Sequence, residues 1–468
     1  MKYSRASIAF SLAAAAMLLS ACANNPFDAL FPKSATTSTL RGDRISVMPN
    51  EESITPDPAL QSVAVQLPAP YRNTEWTQPG GYANNGAYHL EASGPLRQIW
   101  EQDTGKGSDS DSRLTAPPVV AAGRIYVLDA EARVLVYNEA DGRPLWSVRL
   151  APVNEDSFLH TWTLGMFGQD KSIDPSKGFG GGVAYDDGKL YVTTGFGDIF
   201  ALNPANGAQV WKSHVEAPIV NAPVANGGRL FVSSVDNHFF ALAQSDGRIL
   251  WDHHGITESA GILVATSAAV AGDTVIAPYS SGELYALKVQ TGQQEWDELL
   301  TSSGNKTAIS ELDDIAGRPV IDRDVVYAIS HSGNMVAKRL STGERLWVRD
   351  IGGTQTPWAA GDWVYVLTIE GQVLCLSRKD GHVRWMHQLQ NLEDMTDKTS
   401  DPIVWAGPVL VSNRLVMVSS DGFAVSLSPY TGQLLGRMEI PDGAYIAPVV
   451  ANDTLYIYTN DAELVALR

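Results

Sequence analysis

One frame recurs along this chain and limits what it can fold into. It is a small residue, nine intervening positions and a Trp, with Gly four positions before the Trp. Copies are Val136/Gly142/Trp146, Ala201/Gly207/Trp211, Ala241/Gly247/Trp251, Ala286/Gly292/Trp296, Ala337/Gly343/Trp347 and Cys375/Gly381/Trp385. A degenerate copy, Ser426/Gly432/Gly436, has lost its Trp. Turn formers precede each Gly, as in Asp141-Gly142, Asn206-Gly207 and Thr342-Gly343. Gly takes positive φ at no steric cost, so each pair can close a hairpin. A short apolar strand stands before each turn (Asp198-Ile199-Phe200-Ala201-Leu202), and a second one ending in Trp follows. Upstream lie a third run (Lys189-Leu190-Tyr191-Val192) and a fourth opening on Pro-Val, as at Pro223-Val224 and Pro319-Val320. Four strands in a unit of about 40–50 residues is the size of a propeller blade. A lone blade cannot bury both faces, and stacking blades in a ring does so. The expected fold is all-β: an eight-bladed β-propeller with four antiparallel strands per blade. Trp100, Trp146, Trp211, Trp251, Trp296, Trp347 and Trp385 are expected as structural cores between blades, each burying roughly 150–250 Å².

The ends of the repeat predict how the ring closes. The last unit stops at Arg468 after Glu463-Leu464-Val465-Ala466-Leu467, with no Trp strand. The missing strand is found at Leu96-Arg97-Gln98-Ile99-Trp100, after Gly94-Pro95, so the N-terminal strand is expected to complete the eighth blade and cover the open edge. The longest step between Trp residues is from Trp146 to Trp211. It holds an insertion over 151–180, expected as a loop on one rim that is either a functional element or a structural flap.

The N-terminus carries a processing signal. Lys2 and Arg5 precede an apolar run, Ile8 to Leu19, that is short for a bilayer span and reads as a signal-peptide core. It ends in Leu19-Ser20-Ala21-Cys22, which resembles the bacterial lipobox. Residues 1–21 are therefore expected as a lipoprotein signal peptide and Cys22 as the lipidation site, with several acyl chains giving stable attachment to membrane lipid. Ala23 follows instead of Asp, which by the enterobacterial sorting rule favours the outer membrane, periplasmic face. Residues 22–75 are rich in Pro, Ser, Thr and Asn and are expected as a flexible tether of roughly 40 Å reach. The propeller is expected over 76–468. Cys375 then has no partner, so no disulfide holds the fold. The net charge of −18 and the lack of any basic run argue against a nucleic-acid partner.

The Ala-Leu-Asx-x-x-x-Gly-x-x-x-Trp frame resembles the repeat of the quinoprotein-type propellers. Together with the lipobox, the tether and eight compact blades, it makes the chain similar to the BamB family of outer-membrane β-barrel assembly lipoproteins. Trp76-Thr77-Gln78-Pro79-Gly80-Gly81, Gly180-Gly181-Gly182-Val183-Ala184 and Pro278-Tyr279-Ser280-Ser281-Gly282-Glu283-Leu284 resemble its α-proteobacterial branch. The resemblance implies a non-catalytic scaffold. It implies docking on the periplasmic POTRA domains of BamA beside the other assembly subunits, and aid to unfolded outer-membrane proteins. It also implies a partner contact in an acidic loop before the start of a blade. The matching stretch is Leu312-Asp313-Asp314-Ile315-Ala316-Gly317-Arg318-Pro319, so Asp313 and Asp314 are the expected partner-binding residues. The family's second acid falls on Ala316 and is absent, and 217–223 lacks the Arg of a second family contact.

Two rival readings share the repeat. One is a quinone-dependent periplasmic dehydrogenase, whose relatives use calcium and an adjacent Cys-Cys disulfide that two distant cysteines cannot form. The other is a peptide-binding envelope propeller unrelated to barrel assembly. No catalytic, cofactor or metal set stands out in the sequence. Asp109-Ser110-Asp111 lacks the Gly and distal Glu of a calcium loop. His253-His254 are neighbours that a strand points to opposite faces.

Overall fold

The computed structural model describes residues 54–109, 112–152, 180–256, 266–300, 314–397 and 399–468. Their strands form eight four-stranded antiparallel sheets, arranged as an eight-bladed β-propeller. Blades 1 to 7 cover 119–149, 181–214, 224–254, 269–299, 320–350, 358–388 and 405–439. Blade 8 takes 449–467 and adds Gln98–Asp103 as its outer strand, antiparallel to Glu463–Leu467. The expected closure by the N-terminal strand is thus present. The first strands of neighbouring blades touch, which places them innermost, around the axis.

Burial follows from the sequence pattern. Middle strands are covered on both faces and read as continuous apolar runs, as in Asp198–Leu202, where every residue is buried. The outer strand is half-exposed and alternates: in Gln209–His214 only Trp211 is fully covered. The repeat frame is a register. Each small residue pairs directly with its Trp: Val136 with Trp146, Ala201 with Trp211, Ala241 with Trp251, Ala286 with Trp296, Ala337 with Trp347, and Cys375 with Trp385. Ala466 with Trp100 completes the set across the two ends of the chain. A one-residue bulge precedes each Trp and turns that residue outward, which leaves Ile99, Leu145, Val210 and Leu250 exposed.

Each indole reaches into the next blade. A Cβ on Gly142 would meet the ring of Trp100, and the same holds for Gly207 with Trp146, Gly247 with Trp211 and Gly292 with Trp251. Gly343 with Trp296, Gly381 with Trp347 and Gly432 with Trp385 continue the series. The hairpin Gly therefore serves twice, taking positive φ in the turn and leaving room for the neighbouring indole. Six indole N–H groups donate to carbonyls of the next blade: Trp146 to Pro204, Trp211 to Gln244, Trp251 to Val289, Trp296 to Leu340, Trp347 to Arg378 and Trp385 to Pro429. At about 25 cal/mol per Å² each indole contributes about 4–6 kcal/mol as an upper bound.

One junction departs from this scheme and another adds to it. Blade 7 carries Gly436 where the others carry Trp; nothing lies within 4 Å of where its Cβ would stand, and a cavity of ≈ 230 Å³ opens there. Between blades 4 and 5, the Lys338 ammonium lies 4.6 Å over the Trp296 ring and 2.6 Å from the Glu298 carboxylate. Arg345 also pairs with Glu298.

Residues 54–68, expected within the tether, lie along blade 6. The Asp57 N–H donates to Val383 O and its carboxylate meets His382, at the outer strand. The Arg384 guanidinium donates to Val63 O, and Gln66 O lies against Gly361 at an inner turn. The expected signal peptide, the first part of the tether with Cys22, and most of the 151–180 insertion lie outside the described residues.

Candidate functional site: the axial cup

The chain enters the axis at Asn73 and then makes one circuit of it. The Asn73 side-chain amide donates to Val450 O in blade 8, 2.9 Å away. Trp76 exchanges two backbone hydrogen bonds with Val120 of blade 1, and Tyr185 N–H of blade 2 donates to Thr77 O. The Gln78 side chain imitates a strand: it donates to Ala225 O (3.1 Å) and accepts from Ala225 N–H (3.0 Å) in blade 3. Val270 of blade 4 donates to Ala83 O, and Ile321 of blade 5 to Asn84 O. Asn85 donates to Ala268 O and Pro319 O, bridging blades 4 and 5. The Trp358 indole of blade 6 donates to Tyr88 O, and Leu90 N–H donates to Leu410 O of blade 7. This girdle thus binds every inner strand in turn. It also fills the axis with its own contacts, since Gly81 lies against the Trp76 ring and Gly80 against Asn85.

Above the girdle is a cup of ≈ 120 Å³. Trp76, Pro79, Gly80 and Asn85 bound it on one side, and the starts of the inner strands of blades 1, 5, 6, 7 and 8 bound the other. Its polar lining includes Arg318, Gln355, Thr115, Thr354, Thr356 and Tyr445. The Arg318 Nε is buried without a hydrogen-bond partner among the described residues, and loss of water lowers the pKa of this guanidinium to about 10. No carboxylate, imidazole or thiol lines the cup among the described residues. A calcium-bound quinone needs clustered acidic oxygens around its ion. The residues present do not fit that group, and the only cysteines, Cys22 and Cys375, cannot form an adjacent disulfide. Cys375 is buried opposite Trp385, and burial pushes its thiol well above the ordinary range.

Of the two expected partner-binding acids, Asp313 lies outside the described residues. Asp314 is 2% exposed, with its carbonyl accepting from His331 N–H, so its carboxylate presents almost no surface. In the stretch 217–223 Pro218 is exposed but 219–223 is buried, and the Asn221 amide donates to Thr266 O. Sequence reasoning missed the girdle. Its only signals were Gln78, Asn84 and Asn85, side chains able to satisfy strand edges from an irregular backbone. His253 and His254 do face opposite sides. His254 faces His238, on the neighbouring strand.

The family model described as "Outer membrane protein assembly factor BamB" matches residues 90–161 and 159–387. The chain belongs to the BamB family. Among curated BamB proteins it is 24% identical to that of Yersinia pestis over 371 residues, covering 79% of this chain and 88% of the relative. It is 22% identical to that of Escherichia coli (strain K12) over 358 residues, 75% and 83% of the two chains. Among solved structures, BamB from Moraxella catarrhalis superposes with TM-score 0.60 at 18% identity, covering 80% of this chain and 98% of that one. A europium-containing methanol dehydrogenase superposes with TM-score 0.62 at 14% identity, covering 82% and 90%. At such identities the structural likeness shows the propeller alone, and a BamB propeller and a dehydrogenase propeller fit equally well. Family membership rests on the sequence match.

Proposed function

We propose that this chain is a non-catalytic scaffold subunit of the outer-membrane β-barrel assembly machinery. It docks on the POTRA domains of BamA, works beside the other assembly subunits and assists insertion of outer-membrane proteins. The observation that carries this reading is the match to the BamB family over most of the blades. A cup whose polar side chains are one arginine, two amides and hydroxyls, without the acids that a calcium-bound quinone needs, agrees with it. Since the girdle occupies the axis, partners and unfolded clients meet the outer faces and rims. An acylated Cys22 holds the propeller on the periplasmic face of the outer membrane, with lipid as its other partner.

The test is co-purification. Full-length chain with a C-terminal affinity tag, extracted in mild detergent, should bring down a large barrel protein with periplasmic repeats. The variant Asp313→Lys should reduce that yield if the loop before blade 5 makes the contact. A chain that is intact in the envelope but absent from such a complex would overturn the reading in favour of a peptide-binding propeller. Dye reduction with an alcohol in the presence of calcium would overturn it in favour of an oxidoreductase.

A further inference from the structure

The outer hairpin of blade 3 brings together three metal-ligating side chains for which the scaffold reading has no use. His238 opens the third strand, His238–Ala243, and His254 closes the outer strand, Ile249–His254. The two are direct cross-strand partners, a relation that holds Cβ atoms about 4.5–5.5 Å apart. Asp252, two residues before His254, shares its face because side chains alternate along a strand. His253 points the other way, and its Nδ1 lies 2.7 Å from the Tyr279 hydroxyl. The two outward imidazoles stack, with centroids 3.5 Å apart and planes 30° from parallel. Phe240 supports the His238 ring at 4.0 Å.

Stacking aims both rings at one atom. Asp252 Oδ2 lies 2.9 Å from His238 Nε2 and 3.4 Å from His254 Nε2. All the ligand atoms of the trio lie within 4.8 Å of one another. Donors bonded to zinc at tetrahedral angles stand about 3.3 Å apart, so the two measured edges are already close to those of a coordination tetrahedron. A small movement of exposed side chains would admit an ion at its centre.

We propose that His238, Asp252 and His254 form a binding site for a divalent transition-metal cation of the zinc class. Two imidazole nitrogens and one carboxylate oxygen suit that class, while magnesium and calcium demand oxygen throughout. The fourth position faces solvent, because Asp252 and His254 are exposed, and would take water or a partner's side chain. The repeat does not force this arrangement. The equivalent cross-strand pairs include Arg133–Arg149 in blade 1, Asp198–His214 in blade 2, Glu283–Leu299 in blade 4 and Asn334–Asp350 in blade 5, and no other blade has two imidazoles there. The bound ion would clip the outer strand to its neighbour at the open end of the hairpin, where an edge strand frays most easily.

The experiment uses full-length chain without a polyhistidine tag, stripped with chelator and titrated with Co²⁺, then with Zn²⁺ as competitor. The expected result is saturable uptake of one equivalent, with visible absorption bands that Zn²⁺ abolishes. His254→Ala and Asp252→Asn should each weaken binding at least about tenfold. His214→Ala, the corresponding exposed His of blade 2, should leave it unchanged. His254 is two-thirds exposed, so its loss spares the core. No saturable uptake of either ion would overturn the proposal, and so would uptake that His254→Ala leaves intact.

Discussion

Position 292 shows how much one missing methyl group can decide. Gly292 holds φ at +70°, and a Cβ there would stand 2.6 Å from the Trp251 ring. Gly292→Ala therefore meets left-handed strain and a clash with a packed indole together. It should cost about 2–4 kcal/mol, read as a lowered denaturant midpoint. Gly123, also at positive φ, has nothing within 4 Å of its Cβ position, so Gly123→Ala carries the strain alone and should cost less. The same logic explains why a small residue stands opposite each Trp. The residue scale is also where the His trio was nearly legible. Counting three positions outward from the Ala241–Trp251 pair on both strands lands on His238 and His254. The repeat carries that register, whereas the adjacent pair His253-His254 points to opposite faces and hides it.

Among elements, the girdle and the strand that closes blade 8 matter most. His89, fully buried beside the girdle, is bound on both nitrogens: Nδ1 lies 2.7 Å from Pro68 O, and Nε2 accepts from Asn413 N–H at 3.0 Å. An accepting Nε2 requires the neutral ring, and burial lowers the imidazole below its usual value. The unfolded chain then binds the proton more readily than the folded one. Stability from this group is complete above about pH 6.5 and declines as pH falls below it. Thermal midpoints should drop across that window, and His89→Gln should flatten the dependence. The weak junction invites the opposite change. Gly436 lacks positive φ and borders the ≈ 230 Å³ cavity, so Gly436→Trp should restore the frame. A gain of about 1 kcal/mol by calorimetry is expected, as for other cavity-filling changes.

At the scale of the whole molecule, closure comes twice. The outer strand Gln98–Asp103 joins the two ends of the chain in blade 8, and the girdle separately ties all eight inner strands. A ring held at rim and axis needs no disulfide, which fits a chain whose one cysteine in the described residues is buried and unpaired. Attachment through an acylated Cys22, as proposed above, would be independent of the fold. Cys22→Ala should leave the melting curve of the propeller unchanged while moving the protein from the membrane fraction to the soluble periplasmic fraction. If that variant still sediments with membranes, the proposed anchor at Cys22 is overturned.

Blade count, hairpin register, the place of each indole and the strand that completes the ring are all legible in the repeat. Those features depend on local spacing repeated many times, and every copy of Gly and Trp states the same geometry. The girdle, the cup and the burial of Asp314 exist only in the folded ring. Residues 73–90 have no period, because their hydrogen bonds pass from one blade to the next, and those eight inner strands are brought to one axis only when the ring is closed.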